Sequence, residues 1–339
     1  MKRKIISIIA ILIFLVGVGF FIYPYVMDSY AKYQNKKVMD CFKKDLARMK
    51  KTMKEEADLP DGAISEESSN LRRLYKDMQE YNQKIVQEGQ EGLHDPFAYE
   101  TPAFDLRDYG FENNVIGIIN IEKMDVSMPL YLGASKENMK MGAVVLGQTS
   151  MPIGEKPANM VIAAHRGYRG IKMFRDIQNM ENGDVIQIIT PFSTLDYKVT
   201  EIKIILPDDI DEILIQEGKN LVTLMTCHPY TKNTHRYLVV AELIDDHSDF
   251  QMDSFENDNS RDDNNDESVS EENSDTQSVS TEKMITDGKQ KNNREQDADT
   301  DVIESKRIIW LETYVPIIGG VIVVLMIILG ILTTQNKRS

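Results

Sequence analysis

The chain has 339 residues, only two cysteines and a formal net charge of −15. Between Asp245 and Ser305 there are 20 acidic residues against 5 basic ones, so the acidity belongs to one segment and the remainder is balanced at 34 of each sign. With no basic patch, nucleic-acid binding is set aside, and two cysteines are too few for a disulfide-built domain.

In chain order, residues 1–4 are a short basic tail and residues 5–26 a membrane span. Ile5 to Tyr23 is apolar apart from Ser7, close to the ~20 residues that a helix needs to cross the hydrocarbon. No small-x-small cleavage site follows it directly, which favours an uncleaved anchor over a signal peptide. Residues 27–92 read as helical. Val38, Phe42, Leu46, Met49 and Met53 form one stripe, and Leu71, Leu74, Tyr75, Met78, Tyr81 and Ile85 form another, with Pro60-Asp61-Gly62 breaking the two apart. Residues 93–101 are a connecting loop.

From 102 to 244 the pattern changes to short apolar runs separated by turns. Strands are expected at Val115–Ile121, Val126–Leu130, Ala143–Leu146, Met160–Ala164, Val185–Ile189, Leu195–Leu206, Leu221–Cys227 and Tyr237–Leu243, with a helical turn at Phe174–Met180. About eight strands in so short a stretch point to a mainly β fold, a closed or nearly closed barrel, with a sandwich as the alternative that pattern leaves open. Residues 245–307 are too polar to offset their chain entropy and read as a disordered tether. A second span is expected at 308–333 and a basic tail at 334–339. Lys2, Arg3 and Lys4 at one end and Lys337 and Arg338 at the other place both termini in the cytoplasm and the barrel outside.

Chemistry concentrates at strand ends. Cys227 closes Thr223-Leu224-Met225-Thr226-Cys227, just before a polar turn. A thiol there is placed to face a cleft, and it needs a base or a positive field to act as a nucleophile. His165 ends another strand and has the chemistry of a proton acceptor and later donor. Arg236 opens the last strand and could hold an oxyanion. Each residue taken alone reads more readily as structural, and only their convergence would make a site. Two free thiols are preferred over a single Cys41–Cys227 bridge. The five histidines show no metal-ligand spacing, and no cofactor is indicated.

Thr223–Cys227 matches the TLxTC signature of sortases. An arginine follows on the next strand, in Asn233-Thr234-His235-Arg236-Tyr237, and His165-Arg166-Gly167 resembles the family's histidine motif. The resemblance runs from about Gly117 through Leu243 and implies a sortase-like barrel. It implies Cys227 as nucleophile, His165 as acid/base, Arg236 as oxyanion and substrate clamp, and Thr226 as support for substrate positioning. In His94-Asp95-Pro96-Phe97, Pro96 fixes the backbone; the stretch is similar to the lid of class C, pilus-assembling sortases, which implies that Asp95 pairs with Arg236 and Phe97 covers Cys227. The implied reaction is cleavage of an LPxTG-like sorting signal through a thioester and transfer to a lysine amine of a pilin subunit, at the membrane of a Gram-positive bacterium. Transfer to a cell-wall precursor amine is the alternative acceptor. A non-enzymatic surface-displayed receptor is the alternative of another class, although no LPxTG-like pentapeptide precedes Tyr314. His228 departs from the family pattern, and its side chain could either tune the thiolate or face solvent.

Overall fold

The computed structural model describes residues 2–57, 65–95, 97, 102–168, 171–230, 232–247 and 319–320. The Pro60-Asp61-Gly62 break, Pro96, nearly all of the acidic segment and all of the second span except Gly319 and Gly320 lie outside the described residues.

Eight strands close into a barrel: β1 (Val115–Ile121), β2 (Val126–Leu132), β3 (Ala143–Val145), β4 (Ala158–Ala163), β5 (Val185–Ile189), β6 (Thr194–Ile205), β7 (Asn220–His228) and β8 (His235–His247). Their order around the barrel is β1-β2-β3-β4-β7-β8-β6-β5. Closure satisfies the backbone groups that an open sheet would leave at its edges. β4 and β7 are parallel neighbours, and every residue in both is buried. Covered on both faces, they read in sequence as continuous apolar runs. β6 instead alternates between buried and exposed positions along much of its length. It stays one strand, and the irregularity expected in its run appears as two register shifts against β8, at Asp196/Tyr197 and Val199/Glu201.

Gly117 marks the tightest approach in the barrel, because a Cβ there would lie 2.4 Å from the carbonyl oxygen of Ile189. β8 runs three residues past the expected boundary at 244, pairing Asp245, Asp246 and His247 with Asp196, Leu195 and Thr194. A short helix, α3 (Lys136–Met141), has no expected counterpart. It is capped by Ser135, which accepts from Asn138 N, and it buries only Met139, so it carries no readable apolar stripe.

The N-terminal half is helical. α1 (Lys2–Ala57) is a single 56-residue helix that continues through Pro24, so the apolar stretch and the charged stretch expected as separate elements are one rod of roughly 84 Å. It is long and apolar enough to cross a membrane. Beyond its apolar stretch, the stripe of Met39, Phe42, Met49 and Met53 is buried in the common core. Asp28 Oδ1 accepts from Lys172 N at 3.3 Å and Lys32 Nζ lies 3.1 Å from Asp125 Oδ2, so the barrel sits against α1 just beyond its apolar stretch. α2 (Glu66–Glu88) starts at Ser65, whose side chain accepts from Ser68 N, and ends at Gly89 in the left-handed region. Leu71, Leu74, Met78 and Ile85 are buried. Tyr75 and Gln79 both donate to Glu155, at 3.2 and 2.8 Å. Just after α2, Gln90 donates to Gln148 O and accepts from Ile215 N, both at 2.7 Å, which fixes the start of the loop that follows.

Candidate active site

Strand register assembles the site. β4 and β7 run in parallel as far as the pair Ala163↔Met225. One step on, Ala164 N donates to Met225 O at 3.2 Å, and the Thr226 hydroxyl donates to Ala164 O at 2.7 Å. The next residues on the two chains are His165 and Cys227. On the other side of β7, Cys227 is the register partner of Arg236 on β8. Neighbouring strands lie about 4.8 Å apart, so groups from positions 165, 227 and 236 form one row about 10 Å wide. Register partners point to the same face of a sheet, while the next residue along points to the opposite face.

The front of the row is covered by residues of the loop after α2. Asp95 takes both arms of the Arg236 guanidinium, Nε at 2.7 Å and Nη2 at 2.6 Å. The remaining Arg236 nitrogen, Nη1, donates to Asn233 O and His235 O. The Phe97 ring lies 5.0 Å from the Arg236 guanidinium carbon and 5.7 Å from the His165 ring, so it spans the row from one end to the other. On its far side His165 stacks on Tyr168 at 5.0 Å. Gly167, at φ +93°, makes the left-handed turn that lets the chain double back for that stack.

The electrostatics describe a resting site. Burial pushes the Cys227 thiol up to about 11; Arg236 and Arg166 pull it down, and Asp95 pushes it further up. Burial lowers His165. At neutral pH the pair is therefore a thiol and a neutral imidazole. For Arg236 burial acts downward, but the Asp95 hydrogen bonds and the surrounding negative charge outweigh it and leave the guanidinium raised. Cys227 and Cys41 are both free thiols.

The structure fixes the orientation of two further residues beside the row. Thr226 points away from the thiol face. It is fully buried, and its hydroxyl is used in tying β7 to the backbone that carries His165. His228 does not face solvent: β7 extends one residue past Cys227, and alternation turns the ring into the protein, where it is fully buried. There it joins Arg166, Gln178 and Tyr237 behind the row, a cluster that sequence reasoning did not single out. The available signal was positional, since Arg166, His228 and Tyr237 each follow a residue of the front row.

Among the described residues no group of three or more His, Cys, Asp or Glu side chains is placed to hold a metal ion. A cleft of about 1250 Å³ lies between α1 and the barrel, lined by Asp28, Lys32, Met39, Lys123 and Lys172 among others. It includes no residue of the row, so this cleft does not locate the chemistry.

Comparison with known proteins matches residues 119–244 to the Sortase domain family. The chain is 27% identical to Sortase A of Bacillus anthracis over 133 residues, which are 39% of this chain and 61% of that protein. It is 24% identical to Sortase D of Bacillus subtilis (strain 168) over 131 residues, 38% of this chain and 63% of that protein. The chain thus spans a little over six-tenths of the length of these curated relatives. Among solved structures, Sortase C1 of GBS Pilus Island 1 superposes over 61% of this chain and 96% of its own, with 26% identity and a TM-score of 0.50.

Proposed function

The chain belongs to the sortase family, and from that premise we propose that it is a membrane-held cysteine transpeptidase of the class C, pilus-assembling kind. The observation that carries the reading is the row of thiol, imidazole and guanidinium across β4, β7 and β8, closed over by Asp95 and Phe97.

In this reading an LPxTG-like sorting signal displaces Asp95 and Phe97 and takes over the Arg236 fork. His165 accepts the thiol proton as Cys227 Sγ attacks the Thr–Gly carbonyl, and Arg236 holds the oxyanion. When the C–N bond breaks, the proton passes from His165 to the leaving amine, which leaves a thioester on Cys227. A lysine amine of a pilin subunit then attacks the thioester; it loses its proton to His165, and the thiol is regenerated as an isopeptide bond forms. While Asp95 occupies Arg236 and Phe97 covers the row, the thiol stays protonated and shielded, which suppresses hydrolysis between turnovers. The α1 rod holds the barrel beside the membrane, and both partners would be held at the same surface, which raises their effective concentration. Both termini face the cytoplasm, with the second span at 308–333 as a further anchor.

Pilin lysine is favoured over a cell-wall precursor amine as acceptor by the contacts of Asp95 and Phe97 with the row, the feature that the class C resemblance rests on. The test uses the full chain in detergent with a sorting-signal peptide and a pilin-derived lysine acceptor. Ligated product forms with the parent chain and is abolished in Cys227→Ala. Transfer that persists in Cys227→Ala would overturn the proposal.

A further inference from the structure

Arg166 is only 4% exposed, yet among the described residues no carboxylate forms an ion pair with it. Asp176 acts on it only at longer range and pairs instead with Arg175, at 3.6 Å. A buried guanidinium without a counter-charge is costly, and such groups persist where something uses the charge. Its fork is nevertheless held. Nη2 donates to Gln178 Oε1, and Nη1 donates to His228 Nδ1 and, at the long distance of 3.5 Å, to Cys227 O. Its guanidinium carbon lies 5.6 Å from the centre of the Tyr237 ring.

Because Arg166 donates to Nδ1, the His228 proton sits on Nε2, and that buried N–H has no partner among the described residues. Burial, with Arg166 and His235 acting in the same direction, holds His228 neutral, its pKa lowered to about 3. The cluster thus keeps a single fixed positive charge directly behind β7. In front, the Arg236 charge is cancelled by Asp95 while the loop is closed.

We propose that Arg166, oriented by His228 and Gln178, is a positioning residue that supplies a fixed positive field behind Cys227 and sets the reactivity of its thiol. This rests on the reading of Cys227 as the nucleophile. The charged and titratable groups around that thiol come from every wall of the site: Asp95 from the loop, His165 and Arg166 after β4, His228 on β7, and Arg236 and Tyr237 on β8. Of the two cations that lower the thiol, Arg236 is the one that substrate must engage, whereas Arg166 stays available throughout the cycle.

The test is the pH dependence of chloroacetamide alkylation of Cys227, followed by mass spectrometry on the full chain in detergent. Cys41→Ser leaves a single thiol and Asp95→Ala uncovers it, so all variants carry both changes. Arg166→Gln lowers the alkylation rate at pH 7 by about tenfold, one pKa unit being a tenfold change in thiolate fraction. His228→Asp sets a carboxylate against Arg166 and lowers the rate in the same direction. Arg166→Lys retains the charge and stays within about threefold of the parent. Thermal melting establishes that each variant is folded, and if Arg166→Gln does not fold, His228→Asp decides alone. Alkylation within twofold of the parent in the folded variants overturns the proposal, as does an Arg166→Lys loss as large as that of Arg166→Gln. Alkylation needs no turnover, so its outcome is separate from whether Cys227→Ala still transfers peptide.

Discussion

Replacing Asp95 with alanine removes the two charge-assisted hydrogen bonds, at 2.7 and 2.6 Å, that hold the loop after α2 on Arg236. Bonds to charged groups contribute about 1.5–3 kcal/mol each, but the Asp95 side chain keeps 21% exposure and water repays part of the loss. A net of about 2 kcal/mol corresponds to a roughly 30-fold larger open population. A second effect acts in the same direction. Asp95 raises the thiol and Arg236 lowers it, so removing Asp95 moves the Cys227 titration toward lower pH. Alkylation of Cys227 at pH 7 therefore accelerates at least tenfold in Asp95→Ala, and cleavage of a quenched-fluorescence sorting-signal peptide rises with it. Asp95→Asn, which keeps the shape but loses the charge, falls between the two. Alkylation of Asp95→Ala within twofold of the parent would refute the reasoning.

Further outcomes follow from other contacts. Phe97→Ala removes the ring over the row and its contact with the Arg236 guanidinium but leaves the Asp95–Arg236 hydrogen bonds in place; peptide cleavage rises, by less than in Asp95→Ala, and the same fluorescence assay reads it. His228 is held below the free-histidine value, so the stability it confers is present above pH 6.5 and is lost as pH falls toward about 3. His228→Asn removes that dependence: relative to the parent, the variant gains a few kcal/mol between pH 7 and pH 4 in denaturant titrations. Gly117→Ala drives a Cβ into the Ile189 carbonyl and separates β1 from β5, costing upwards of about 2 kcal/mol by thermal melting.

The strands were the readable part of the fold. β1 and β5 run over the residues expected for them, and β4 and β7 show as apolar runs because parallel neighbours covered on both faces leave no polar alternation. Their order around the barrel is not a property of any one strand. It follows from two parallel pairings, β2–β3 and β4–β7, that no local pattern announces. Composition changes sharply near Asp28 and divides α1 in the sequence, while backbone geometry has no reason to change there.

At the site, the motif residues and the loop at 94–97 were visible as residue types, but their alignment depends on register. Strand alternation was available to separate Thr226 from the thiol face. Whether His228 pointed inward depended on β7 extending one residue past Cys227, which a polar residue before a proline does not reveal. The Arg166 cluster was hidden for a related reason: an arginine beside a strand-end histidine looks solvent-facing until the fold buries it.

One sulfur, Cys227 Sγ, carries the proposed chemistry. The full chain is incubated with an LPxTG-like peptide, without acceptor amine, and its mass is read intact and after digestion. The expected result is a hydroxylamine-labile adduct on Cys227, ending at the threonine of the signal, that accumulates faster in Asp95→Ala. An adduct that forms on another residue, or no adduct while cleavage proceeds, would contradict it.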